Sequence, residues 1–172
     1  MLDAQTGSAA PHVVRREDYH PPEWLVPDIA LDFDLDPACT HVRATLAVER
    51  NAGEGPLRLD GGGQMPIAVR VDGQPAAWRM EGSQLVIPLT GAAHQVETEV
   101  EISPETNTQL MGLYASGGLL CTQCEAEGFR RITFFPDRPD VLSRYRVRMS
   151  ADKARFPVLL ANGDHVGGGD LA

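Results

Sequence analysis

The residues whose types and spacing suit them to chemistry are concentrated between Thr122 and Asp140. Gln123 and Glu125 stand two apart, so in an extended segment both side chains leave the same face. A carboxylate beside a carboxamide oxygen, presented from a rigid strand, can grip a cationic amine; one supplies charge and the other a second acceptor. Gly128 permits a turn or a close backbone approach. Pro136 and Pro139 end any continuing strand and favour a short turn or one-turn helix. The same residues also make a solvated loop with a surface glutamate, and spacing alone favours that plainer reading.

Cys121-x-x-Cys124 has the form of half a zinc site or of a redox pair. A structural zinc site needs two more ligands, and only Cys39 and five scattered histidines remain. A redox pair needs a helix N-terminus within a βαβ pattern, which is absent. Three residues apart on a strand, the thiols point to opposite faces, so they read as structural. His12, His20, His41, His94 and His165 show no metal-ligand spacing, and no His-Glu-x-x-His occurs. No serine or cysteine nucleophile with a partner histidine can be assembled.

The elements that must position this stretch alternate with period two. Ile29, Leu31, Phe33 and Leu35 share one face, with Asp28, Asp32, Asp34 and Asp36 on or near the other. Val42, Ala44, Leu46 and Val48 repeat the pattern after a turn at 37–40, predicting a hairpin. Strands are expected at 56–60, 65–72, 76–80, 84–89 and 94–102, with Asp72-Gly73 the best tight-turn signal. Met111 to Ser116 and Leu119 to Gln123 join across Gly117-Gly118. Tyr145, Val147 and Met149 alternate with Arg144, Arg146 and Arg148, a strand with one basic face; Phe156 to Ala161 reads as a buried strand. Residues 1–17 read as a flexible tail, and 19–27 as an irregular leader whose aromatics pin against the body. The fold class is all-β, a twisted β-sandwich or saddle-shaped sheet, spanning 18–172.

A chain of 172 residues is long enough for one well-buried domain. No apolar run approaches the roughly 20 residues that cross a bilayer, and no secretory leader pattern opens the chain. The expected location is cytoplasmic, with no membrane partner. The three cysteines make no even disulfide framework and are expected as reduced thiols. A formal charge of −9 argues against nucleic acid. Yet eight of the fifteen Lys and Arg residues fall between Arg130 and Arg155. They suit an acidic partner, a solvated strand face, or carboxylates outside this sequence.

Cys121-Thr-Gln-Cys-Glu-Ala-Glu-Gly-Phe-Arg-Arg-Ile-Thr133, followed by Asp137-Arg-Pro-Asp-Val141, resembles the bacterial aminopeptidase N family, zinc-dependent alanyl aminopeptidases of the gluzincin class. Gly112-Leu-Tyr-Ala-Ser-Gly-Gly-Leu-Leu120 and Asp152-Lys-Ala-Arg-Phe-Pro-Val-Leu-Leu-Ala-Asn-Gly163 fit it too, and Pro27-Asp-Ile-Ala-Leu-Asp-Phe-Asp-Leu-Asp36 is similar to its first long strand. The resemblance runs from about Asp18 to the end and is densest over 101–163.

The resemblance implies a domain that caps the active site of an enzyme removing N-terminal residues from peptides, with broad apolar or basic preference. Glu125 would bind the free α-amino group and Gln123 would line the pocket for the first side chain. Glu127 would be structural or sit behind the site, and Arg130 and Arg131 would help hold the loop. The zinc ligands, the general-base glutamate and a Gly-Ala-Met-Glu-Asn substrate motif would lie in a catalytic domain downstream of Ala172. The chain is thus expected to be an N-terminal fragment, inactive alone and without metal ligands of its own. The alternative is a free-standing β-sandwich module binding a ligand or protein through 122–140.

Overall fold

The computed structural model describes residues 15–171. The first long strand, β1 (Trp24–Leu35), pairs antiparallel with β2 (Thr40–Arg50). Ile29 lies opposite Leu46, Leu31 opposite Ala44 and Phe33 opposite Val42, and all six are buried, as the period-two pattern predicts. The connecting turn closes on itself. Asp36 Oδ1 accepts from the backbone N–H groups of Ala38 (2.8 Å) and Cys39 (3.3 Å), and the Thr40 hydroxyl donates to the Asp36 carbonyl at 2.7 Å.

The leader is shorter than the prolines suggest, because β1 already begins at Trp24. One extra residue between Leu25 and Asp28 forms a β-bulge around Pro27. The bulge resets the alternation, so Trp24 and Val26 on one side and Ile29 and Leu31 on the other all face inward. Of the leader's aromatics Trp24 is pinned, 3% exposed with Arg50 stacked 4.2 Å over its ring, whereas Tyr19 stays exposed and only its hydroxyl is tied, donating to Asp140 at 3.0 Å. Of the proposed tail, residues 1–14 lie outside the described residues, and Arg16–Asp18 form one 3-10 turn.

The remaining strands are β3 (Leu57–Asp60), β4 (Pro66–Val71), β5 (Gln74–Pro75), β6 (Arg79–Glu81), β7 (Gln84–Ile87), β8 (Ala93–Ile102), β9 (Gly112–Ser116), β10 (Leu119–Gln123) and β11 (Arg144–Ala151). The expected strand at 76–80 is split, with residues 76–78 outside any strand. Asp72 and Gly73 take φ of 51° and 76°, the tight turn their sequence predicts. Six strands form one sheet in the order β11-β1-β2-β8-β4-β5, three form a second in the order β3-β7-β6, and β9 and β10 form a separate hairpin. A single buried cluster joins Ile29, Leu46, Val96 and Val100 of the large sheet to Leu57, Leu59, Leu85 and Ile87 of the small one. The architecture is an all-β sandwich. Among the described residues the helical segments are three single 3-10 turns.

Two of the three arginines of the basic strand find counter-charges within the chain. β11 runs parallel to β1, placing Arg144 beside Asp28 and Arg148 beside Asp32. Their side chains meet at 2.7 and 3.3 Å, and Arg155 reaches Asp36 at 3.0 Å. Phe156 to Ala161 does not form the buried strand expected of it. Asp152 closes a turn by accepting the N–H groups of Arg155 and Phe156, and the chain leaves the sheet. Val158 and Leu160 are then exposed, with no strand beside them among the described residues.

Candidate functional site

The stretch singled out by its chemistry leaves the sandwich at the end of β10. Gln123 is the last strand residue, paired with Gly112 across the hairpin. The chain then turns through 124–128, and the backbone N–H of Gly128 donates to the Cys124 carbonyl at 2.7 Å. Glu125 therefore sits in a turn, not on a strand, and the Glu125–Ala126 peptide is cis. Gln123 and Glu125 are both exposed, with half-buried Cys124 between them, while Thr122 and Ala126 are exposed as well. The turn leaves the Glu125 side chain exposed.

The turn is wound tightly enough to dictate its glycine. A Cβ on Gly128 would lie 2.8 Å from the Gln123 carbonyl oxygen and 2.9 Å from Cys124 Cα, both backbone atoms. Gly112, opposite Gln123, takes φ of 75°, and a Cβ there would meet Arg131 Cβ at 2.7 Å. Close packing of this loop on the hairpin is what sets the two glycines.

A polar clamp then fixes the loop from the other side. Arg130 donates to Asp137 from its backbone N–H and its Nε, both at 3.0 Å to Oδ2, and from a terminal nitrogen to the Asp137 carbonyl at 2.8 Å. The same guanidinium reaches Glu127 at 2.8 Å. The Asp137 N–H donates in turn to Asp60 on β3 at 3.1 Å, whose other oxygen accepts from Gln84 at 2.9 Å. Asp60 and Phe135 exchange backbone hydrogen bonds. Beneath the clamp, Ile132, Phe134 and Phe135 are buried, and Phe129 packs edge-on against Phe135 and Tyr145 with centroids 5.1 and 5.8 Å apart. Arg138 holds Asp140 and the His20 carbonyl, tying the leader to the same loop.

The chain thus spends Glu127, Arg130, Asp137, Arg138 and Asp140 on structure, whereas Gln123 and Glu125 take no part in these contacts. Cys121 and Cys124 are free, as is Cys39. Burial pushes the Cys124 thiol up, and the nearby Asp137 carboxylate adds to the shift. Among the described residues one grouping of three ligand-type side chains occurs, Cys39, His41 and Glu101, far from this loop in sequence. Sequence reading missed it because a 60-residue separation carries no spacing signal; only the pairing of β2 with β8 unites them.

Comparison with known proteins gives a consistent answer. The family model described as the peptidase M1 N-terminal domain matches residues 66–168. Aminopeptidase N of Caulobacter vibrioides is 48% identical over 165 residues, and that of Escherichia coli 45% over 163. Each alignment covers 94% of this chain but 19% of the relative, so the chain spans about a fifth of the length of the curated relatives it matches. Among solved structures, an aminopeptidase A from Legionella pneumophila bound to aspartic acid superposes with a TM-score of 0.79 at 28% identity, covering 86% of this chain and 18% of that one. An M1 zinc metallopeptidase from Deinococcus radiodurans shares the fold, with a TM-score of 0.66 at 18% identity over 75% of this chain and 33% of its own. With the sandwich, the hairpin and the clamped loop in place, the chain belongs to the peptidase M1 N-terminal domain family.

Proposed function

We propose that this chain is the substrate-positioning N-terminal domain of a zinc aminopeptidase, which removes N-terminal residues from peptides. In this reading a tail of 1–17 precedes a domain of 18–172, and a catalytic domain of the same protein follows. The single observation that carries it is the division of labour in the loop. Glu127, Arg130 and Asp137 are consumed in the clamp, while Glu125 and Gln123 stand exposed beside it, outside those contacts.

Glu125 receives the α-ammonium group of the substrate, and Gln123 lines the pocket for its first side chain. An ion pair at 4 Å is worth about 1 kcal/mol in bulk water and about 4 kcal/mol at an effective dielectric near 20. An exposed Glu125 therefore anchors an amine weakly until a second domain covers it. The isolated chain is on these grounds inactive, and the domain works by capping a cleft. A covered carboxylate then separates a charged terminus from an internal amide, which would leave that charge unpaired.

Zinc, when bound in the full-length enzyme, supplies a Lewis acid and an activated water. Zinc takes thiolate, imidazole and carboxylate ligands, so the carboxamide of Gln123 and a lone Glu125 do not make its site. The ligands are assigned to the downstream domain. A cytoplasmic location belongs to the same proposal, and three free thiols suit a reducing compartment. The test is the full-length protein with Glu125→Gln, which keeps the shape and removes the charge. Its kcat/KM falls on peptides with a free N-terminus and is restored by no change in the first residue; an unaltered value rejects the assignment.

A further inference from the structure

The grouping at the far end of the large sheet has the makings of a binding site. Cys39, in the turn just before β2, and His41, the second residue of β2, stand two apart with exposed and half-buried side chains, while Thr40 and Val42 between and after them are buried. Glu101 on β8 lies directly opposite His41 in the antiparallel register. One ligand atom from each of the three residues lies within 4.8 Å of the other two. His41 Nε2 and Glu101 Oε1 are 3.0 Å apart. Two ligands of a tetrahedral zinc ion, each at about 2.0–2.1 Å from the metal, stand about 3.3 Å apart.

The other ring nitrogen supplies a second, independent observation. His41 Nδ1 is buried without a hydrogen-bond partner, and Glu99 Oε1 faces it at 4.0 Å. A histidine that ligates through one nitrogen ordinarily donates the other N–H to a carboxylate, which fixes the ring and raises its basicity. Glu99, paired with Arg43 at 3.4 Å, is a carboxylate facing that nitrogen from beyond hydrogen-bond distance, so a small side-chain movement is needed for it to accept the N–H. The turn that delivers Cys39 is rigid, because Asp36 and Thr40 close it with four hydrogen bonds.

We propose that Cys39, His41 and Glu101 bind one zinc-class divalent cation, with Glu99 orienting His41 and water in the fourth position. The donor set selects the metal class. A thiolate and an imidazole favour zinc over magnesium or calcium, which take oxygen ligands. With thiolate and carboxylate as ligands, two negative charges balance the ion. Bound there, the metal ties the turn between β1 and β2 to the end of β8, a staple across the sheet.

The experiment uses Co2+ as the probe, added to the full-length protein, because thiolate ligation produces a near-ultraviolet charge-transfer absorption. Cobalt bound by histidine and carboxylate alone does not. The expected result is a thiolate band that saturates and is displaced by Zn2+. The band is lost in Cys39→Ser, retained in the double variant Cys121→Ser, Cys124→Ser, and weakened about 10- to 100-fold in affinity by Glu99→Gln. Far-ultraviolet circular dichroism of Cys39→Ser without metal should match the parent, so that loss of the band is not loss of the fold. No thiolate band in the parent, or a band unchanged in Cys39→Ser, overturns the proposal.

Discussion

Arg130 and Asp137, seven residues apart, hold each other by three hydrogen bonds of 2.8–3.0 Å, two of which involve backbone groups. The pair converts a loop of turns and prolines into a fixed platform, since Asp137 is itself bonded to Asp60 on β3. Replacing Asp137 with alanine leaves a partly buried guanidinium short of its main acceptor. The expected cost is about 2–3 kcal/mol, read as a lower midpoint in urea denaturation. Asp137→Asn, which keeps an acceptor, should cost less. Equal stability of Asp137→Ala and the parent would mean that the clamp does not hold the loop.

Gly128 makes a sharper prediction about the candidate site. The atoms a Cβ would strike belong to the backbone of Gln123 and Cys124, so no side-chain rotation relieves the contact. Gly128→Ala should lose about 1–3 kcal/mol of stability and shift the turn that carries Glu125. In the full-length protein, activity on peptides should fall together with stability. A variant as stable and active as the parent would show that the turn is looser than its packing implies.

The thiols provide a pH-dependent readout. Because burial and the Asp137 carboxylate raise the Cys124 thiol, its reactive thiolate is populated only at higher pH than in an ordinary cysteine. Alkylation of folded protein, followed residue by residue by mass spectrometry, should show Cys124 reacting with a pH midpoint above that of the unfolded chain. A midpoint at or below the unfolded value contradicts this environment. Mild oxidation should leave Cys121 and Cys124 as free thiols, whereas a reversible disulfide would restore the redox reading.

Much of the fold is legible in the sequence because its cause is local. Ile29 through Leu35 and Val42 through Val48 alternate apolar with polar, and a two-residue side-chain period leaves one way to bury them. The failures have physical reasons as well. The start of β1 at Trp24 is hidden because a bulge at Pro27 breaks the parity that marks a strand. Phe156 to Ala161 has a strand's composition, but composition does not supply a neighbour to pair with, and these residues leave the sheet.

The candidate site divides along the same line. Its residue types are visible in one short stretch, and the glycine and prolines announce a turn. The clamp is not visible, because Asp60 and Gln84 reach the loop from strands far away in the chain. Cys39, His41 and Glu101 are the extreme case, brought together by strand register alone.

The most direct measurement of the central claim is the specificity constant of full-length protein carrying Glu125→Ala, assayed on a peptide with a free N-terminus. Loss of an anchoring charge within a covered cleft should raise the barrier by about 2–4 kcal/mol, a drop in kcat/KM of roughly 30- to 1,000-fold. The fold should be retained, since Glu125 takes no part in the clamp. A specificity constant equal to that of the parent would contradict the account and leave Glu125 as a solvated residue on a structural loop.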